Sequence, residues 1–185
     1  MDTILPKAYL ISITFLLVII AILVGRQLLK VRRDEANLIK LEKGGAESSK
    51  NAAELYELAS VQLRKRLYPQ ATSTLRKATK RLDNEPTEAK ALIENALGFA
   101  LAAQDDFESA IGHYRTALKA KPDYPVALNN LAFAKQRLQE DGEASKLYQD
   151  VLTIDPKNKT AKRQLQQLKN KDKSNPKDNQ NGLGF

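Results

Sequence analysis

The sequence contains no cysteine, no tryptophan and a single histidine among its 185 residues. Without cysteine there are no disulfides, thiolate metal sites or thiol nucleophiles, although this absence does not identify a redox compartment. The one histidine, His113, stands beside Tyr114 and reads as a surface or groove-edge side chain. Motifs of the HExxH, GxxxxGK[ST] and GxSxG types are missing. Asp105-Asp106 has no third carboxylate at calcium-loop spacing, so the pair reads as a helix cap. These residues support no enzymatic activity, no cofactor, no metal and no small-molecule substrate.

The formal net charge is +8, which raises the question of nucleic acid until its distribution is read. Arg26, Lys30, Arg32 and Arg33 form one basic cluster, and residues 157–185 hold eight basic and two acidic side chains. Between them, residues 34–156 carry 17 basic and 19 acidic side chains. The excess belongs to the flanks, so the central region is no nucleic-acid-binding core. That region is rich in Ala, Leu, Lys, Glu and Gln, the residues of packed helices, and an all-α fold is expected.

Residues 8–25 (AYLISITFLLVIIAILVG) are free of charge and as a helix span about 27 Å, enough to cross a bilayer. Ser12 and Thr14 can bond back to helix carbonyls. A cleaved signal peptide would carry a basic leader and small residues at a cleavage site. Here Lys7 is balanced by Asp2 and the run ends in Ile22, Leu23 and Val24. A buried core helix would need an equally apolar partner, which is not found downstream. The basic cluster Arg26, Lys30, Arg32 and Arg33 follows the run directly, and the positive-inside rule puts the C-terminal domain in the cytoplasm, or in the stroma of a plastid.

Two blocks align without a gap at a period of 34. Leu97-Gly98, Leu101, Phe107, Ala110, Tyr114, Ala117 and Pro122 fall where Leu131-Ala132, Lys135, Asp141, Ala144, Tyr148, Val151 and Pro156 fall. This period, with small residues where helices cross, an aromatic four residues later and a closing proline, is the signature of the tetratricopeptide repeat. Small residues let paired helices approach, the tyrosines fill the space against the next repeat, and the prolines end the second helix. Leu58-Ala59, Tyr68, Ala71, Leu75 and Ala78 form a degenerate earlier unit with five extra residues. Those are expected to lengthen its second helix through Arg81-Leu82, before a turn at Asp83-Asn84-Glu85-Pro86. In TAKRQLQQLK, Ala161, Leu165 and Leu168 share one face, as in a helix capping a solenoid.

The expected organisation is a short segment at 1–7, a transmembrane helix at 8–25, and a basic amphipathic stalk with a Gly44-Gly45 hinge at 26–49. Repeats follow at 50–90, 91–124 and 125–158, then a capping helix at 159–169 and a disordered tail at 170–185. The stalk lacks sustained heptads, which argues against a coiled-coil dimer.

Function then falls to the groove lined by the first helix of each repeat. Its expected residues include Tyr56 from the first, Leu92, Asn95 and Phe99 from the second, and Val126, Asn129, Phe133 and Arg137 from the third. Phe99 and Phe133 either pack internally or floor the groove, with the asparagines holding a peptide backbone or helix. A chaperone-type carboxylate clamp would need Lys and Asn where Tyr56 and Ser60 stand, and only Asn130 resembles a clamp residue. Arg64, Lys65, Arg66, Arg76, Lys77, Lys80 and Arg81 make the first repeat basic. This reads first as a solvated face, with lipid or an acidic partner as the alternative.

The short anchor, the RQLLKVRR exit, the degenerate repeat and the two regular ones together resemble a cyanobacterial and algal-plastid family of tetratricopeptide proteins associated with photosystem I assembly or stability. The resemblance implies a thylakoid-bound, non-catalytic assembly factor whose cytosol- or stroma-facing groove takes photosystem I subunits or other assembly factors. The alternatives are a general bacterial membrane-anchored scaffold and an organelle protein-import receptor.

Overall fold

The computed structural model describes residues 4–45, 51–83 and 85–174, and these form eight helices. The chain divides into two compact units, residues 1–46 and 47–185.

The first unit is a single helix, α1 (Ile4–Lys43), continuous through the apolar run and the basic cluster. Side chains from Tyr9 to Val24 are exposed. The hydroxyls bond inward: Ser12 Oγ donates to the Tyr9 carbonyl at 2.8 Å and Thr14 Oγ1 to that of Ile11 at 2.8 Å. The two hydroxyls are thereby satisfied within the helix. The helix stops at the glycine pair. Gly44 N–H bonds the Lys40 carbonyl at 2.9 Å, and Gly45 turns the chain at φ +71°, a conformation that costs glycine little. Residues 46–49, the end of the expected stalk, and residue 50, the start of the expected first repeat, lie outside the described residues.

The second unit is built of antiparallel hairpins. α2 (Ala52–Arg64) pairs with α3 (Tyr68–Thr79), α4 (Thr87–Ala102) with α5 (Phe107–Ala120), and α6 (Pro125–Arg137) with α7 (Asp141–Ile154); α8 (Lys159–Ser174) closes the stack. Each helix packs on its neighbours in sequence, and α4 also touches α2 and α6, which sets the first helices of the hairpins side by side along one face. The small residues Ala59, Ala71, Ala78, Ala110, Ala117, Ala132 and Ala144 are wholly buried, as are Tyr114, whose ring faces Gly98 of its own hairpin, and Tyr148. Ala161, Leu165 and Leu168 of α8 complete the core against Tyr148 and Val151.

The turns inside the hairpins repeat a device that composition hides. Arg66, Asp105 and Gln139 occupy the same place in successive hairpins and have φ of 59°, 62° and 64°. In each, the next residue's N–H reaches back over the helix end: Leu67 to Gln62 at 2.9 Å, Asp106 to Leu101 at 3.1 Å, Glu140 to Lys135 at 3.0 Å. These bonds satisfy carbonyls that the helix end leaves open, and they hold a non-glycine residue in the left-handed region.

Two boundaries differ from expectation. The five extra residues of the first repeat do not lengthen its second helix, because α3 stops at Thr79 with Lys80 as its C-cap. They enter the following turn and a longer α4, which starts at Thr87 behind Pro86, where a residue without an N–H is tolerated. Asn84 of that turn lies outside the described residues. The capping helix runs to Ser174, so residues 170–174, expected as disordered tail, are helical. Lys171 reaches Asp141 of α7 at 2.5 Å and ties down this last turn. Residues 175–185 lie outside the described residues.

Candidate functional site

The inner face is made by α2, α4 and α6, and its exposed large apolar side chains recur with the repeat. Leu92 and Val126 lie 34 residues apart and are 42% and 52% exposed; Phe99 and Phe133, also 34 apart, are 43% and 41% exposed. Each phenylalanine is packed on one side and open on the other. Phe99 meets the ring of Tyr68 edge-on, centroids 6.4 Å apart at 74°, and Phe133 meets Phe107 at 6.3 Å and 71°. Each Phe is therefore braced from behind by an aromatic opening the preceding hairpin's second helix, while its outer side stays open. Edge-to-face packing of this kind fixes the ring orientation. Arg137 adds a cation to the same end of the face. Its guanidinium carbon lies 4.9 Å from the Phe107 centroid and 6.0 Å from that of Phe133, and Nη2 reaches Asp105 Oδ1 at 3.5 Å.

The two asparagines part company. Asn95 is 9% exposed, and its amide is occupied from both ends: Nδ2 donates to the Tyr124 hydroxyl at 3.5 Å, and Oδ1 accepts from Asn130 Nδ2 at 3.0 Å. Such a residue fastens the second hairpin to the third, with one donor and one acceptor position of its amide spent there. Asn129 Nδ2 likewise donates to Asn158 Oδ1 at 3.3 Å, but Asn129 Oδ1 is buried without a partner. Tyr56 is half-buried and close to Tyr124. Burial and then Tyr56 push the Tyr124 phenol above its ordinary value. Tyr56 also lines a small cleft of about 80 Å³ with Ala53, Ala89, Leu92 and Ile93.

Arg26, Lys30, Arg32 and Arg33 all belong to α1 and are exposed. His113 is not a groove residue. On α5, its Nδ1 lies 2.7 Å from Oε2 of the buried Glu94, where the next hairpin has Leu128 and Leu147. Lys135 of α6 occupies the place of Leu101 and is buried between Glu140 and Glu143, the latter at 3.0 Å. Its two carboxylate partners, Glu140 first, hold its pKa above the ordinary lysine value despite burial. Among the described residues no group of three or more His, Cys, Asp or Glu side chains is placed to hold a metal. What this face offers is an apolar, partly aromatic contact surface of the kind that binds protein partners.

Residues 101–172 match the tetratricopeptide-repeat family. The first tetratricopeptide domain of Spaghetti (RPAP3), solved with the HSP90 peptide SRMEEVD, superposes with a TM-score of 0.60 at 23% identity, covering 66% of this chain and 94% of that one. The likeness carries the fold. The chloroplastic tetratricopeptide repeat domain-containing protein PYG7 of Arabidopsis thaliana is 31% identical over 167 residues, 87% of this chain, but the match spans only 55% of that longer protein. The ycf37 protein of Cyanophora paradoxa is 31% identical over 170 residues, covering 92% of this chain and 98% of its own length. The chain therefore belongs to the ycf37 family of tetratricopeptide-repeat proteins.

Proposed function

We propose that this protein is a membrane-anchored adaptor at the thylakoid, with α1 crossing the bilayer and the repeats facing the cytoplasm or stroma, and that it supports assembly or stability of photosystem I. The observation that carries the binding role is the pair Phe99 and Phe133, each half-open and each braced edge-on by Tyr68 or Phe107. Apolar side chains already held in place lose little freedom on association, which is how a few anchors come to dominate an interface. With Leu92, Val126, Tyr56 and Arg137 they form a strip suited to the apolar side of a partner helix or peptide.

The anchor and compartment rest on other support. The uncharged run of α1 has the length of a bilayer core, its basic exit favours retention of the repeats on the cytoplasmic or stromal side, and the Arabidopsis relative is named chloroplastic. Photosystem I as client follows from the family resemblance. The missing clamp at Tyr56 and Ser60 disfavours a chaperone C-terminus as ligand.

The test is affinity capture from solubilised thylakoid membranes with the tagged full chain and with a Phe99→Ala/Phe133→Ala variant. Photosystem I subunits or their assembly factors are expected with the parent and strongly depleted with the variant. Equal recovery of the same partners by both overturns the groove reading, and recovery of amphipathic presequences would make the chain an import receptor.

A further inference from the structure

Between Leu58 and Leu82 the chain carries seven basic residues and no acidic one. Arg64, Lys65, Lys77 and Arg81 have partners of their own. Arg76 of α3 and Lys80, its C-cap, are exposed on the side away from the buried Ala71, Thr74, Leu75 and Ala78, next to the exposed Ser73. Residues three, four and seven apart share a helix face, so these three make one stripe. The second helices of the other hairpins present mixed charge at exposed positions: Glu108, Arg115 and Lys119 on α5, and Glu143, Lys146 and Asp150 on α7. Only the first hairpin has a purely cationic outer face among the described residues.

We propose that this face of α3 is a second docking surface, and that its partner is the anionic headgroup layer of the membrane that holds α1. Three observations favour lipid over an acidic protein. No large hydrophobic side chain is exposed on α3, whereas α4 and α6 expose Leu92, Phe99, Val126 and Phe133. A protein interface is built around such anchors, while an anionic bilayer attracts basic side chains without them. The exposed stripe carries two single charges, Arg76 and Lys80, spaced along one helix face beside Ser73, and is not a pocket converging on one group. Finally, the hairpin that carries it is the one joined through residues 44–51 to α1, so on the anchored reading, on which this inference rests, a bilayer is permanently at high local concentration. Docking there leaves the apolar strip of the inner face, on the first helices of the hairpins, for a protein partner.

The full chain has no cysteine, so Ser73→Cys gives a unique site for a fluorescent donor, and Gln149→Cys on α7 gives a control. Each labelled chain is reconstituted into vesicles of phosphatidylcholine alone or mixed with phosphatidylglycerol, with an acceptor on a minor headgroup-labelled lipid. Energy transfer at position 73 is expected to rise with phosphatidylglycerol and to fall again in high salt. It should rise much less at position 149. Arg76→Gln/Lys80→Gln is expected to reduce the lipid-dependent docked population about tenfold or more, with the melting transition of the repeats unchanged. Flotation of the vesicles after an alkaline wash separates the two readings. A chain that fails to float overturns anchor and docking together. A chain that floats yet gives the same transfer in both lipids, or the same transfer after the double substitution, overturns the docking alone and returns the charges to solvent or to an acidic protein.

Discussion

Gly98 lies so close to the Tyr114 ring that a Cβ added to it would come within 2.6 Å of Cε1 and 2.8 Å of Cδ1, and within 3.1 Å of the Ala110 carbonyl oxygen. The ring is held in the core and the carbonyl is backbone, so neither yields cheaply. Gly98→Ala is expected to lower the stability of the repeats by about 1–3 kcal/mol through overpacking. Gly112, inside α5 with nothing near its missing Cβ, gives the opposite sign, a gain of about 0.5–1 kcal/mol for Gly112→Ala. Thermal unfolding followed by circular dichroism distinguishes them. Equal effects would mean that the close approach of α4 and α5 is not what the glycine serves.

Gln139 turns the chain at φ +64°, where side chains other than Gly or Asn are disfavoured by about 1 kcal/mol. Gln139→Gly is expected to stabilise by a few tenths to about 1 kcal/mol, the relief of strain being partly offset by the freer unfolded chain. Gln139→Val should cost more than 1 kcal/mol. A chemical denaturation series over the three residues checks the order Gly above Gln above Val.

The 34-residue period and the charge-free run could be read directly because each depends on residue types recurring at fixed spacing. Burial of Ala161, Leu165 and Leu168 followed from helical spacing alone. The left-handed turns were not legible, since Arg66, Asp105 and Gln139 share no chemistry and only the backbone bonds behind them enforce the conformation. Nor was the fate of Asn95, whose partners Tyr124 and Asn130 lie 29 and 35 residues away and are brought to it by the stacking of hairpins. The site residues Phe99 and Phe133 were visible, but the rings bracing them were legible only as repeat markers. Lys135 and Glu94 were hidden because each places a charge where the repeat calls for a core leucine.

Lys135 and Leu101 test that last relationship. Lys135→Leu returns the position to the residue found one repeat earlier and frees Glu140 and Glu143, both reachable by solvent. The change should be neutral or stabilising by about 1 kcal/mol. Leu101→Lys places an ammonium where Asp106 and Ser109 replace the two glutamates, and should cost about 3 kcal/mol or more. If the two substitutions have similar effects, the carboxylates are not what makes the buried lysine tolerable.

Alkaline pH should weaken the fold through the buried tyrosines. Burial raises the Tyr148 phenol from 10.0 to about 12 and raises Tyr114 as well. Above pH 10 the unfolded chain therefore gives up protons that the folded chain retains, and stability falls as pH rises toward the folded value. For Tyr148 the loss is on the order of 2–3 kcal/mol once both values are passed. Tyr148→Phe removes that loss, at a cost of about 1 kcal/mol at neutral pH for the bond its hydroxyl donates to Gln136 Oε1 at 3.3 Å. Melting temperatures of the two proteins from pH 8 to 12 should converge or cross.

The adaptor reading is tested most directly by photo-crosslinking in intact thylakoids, with a benzophenone amino acid placed singly at Leu92 or Val126 on the inner face, or at Glu108 or Gln149 on the outer side of the second and third hairpins. Leu92 and Val126 are exposed beside the braced phenylalanines, so both should yield adducts with a photosystem I subunit or assembly factor, lost in the Phe99→Ala/Phe133→Ala background and absent from the outer positions. Adducts formed only from Glu108 or Gln149, or adducts at Leu92 and Val126 that persist without the two phenylalanines, would contradict the account.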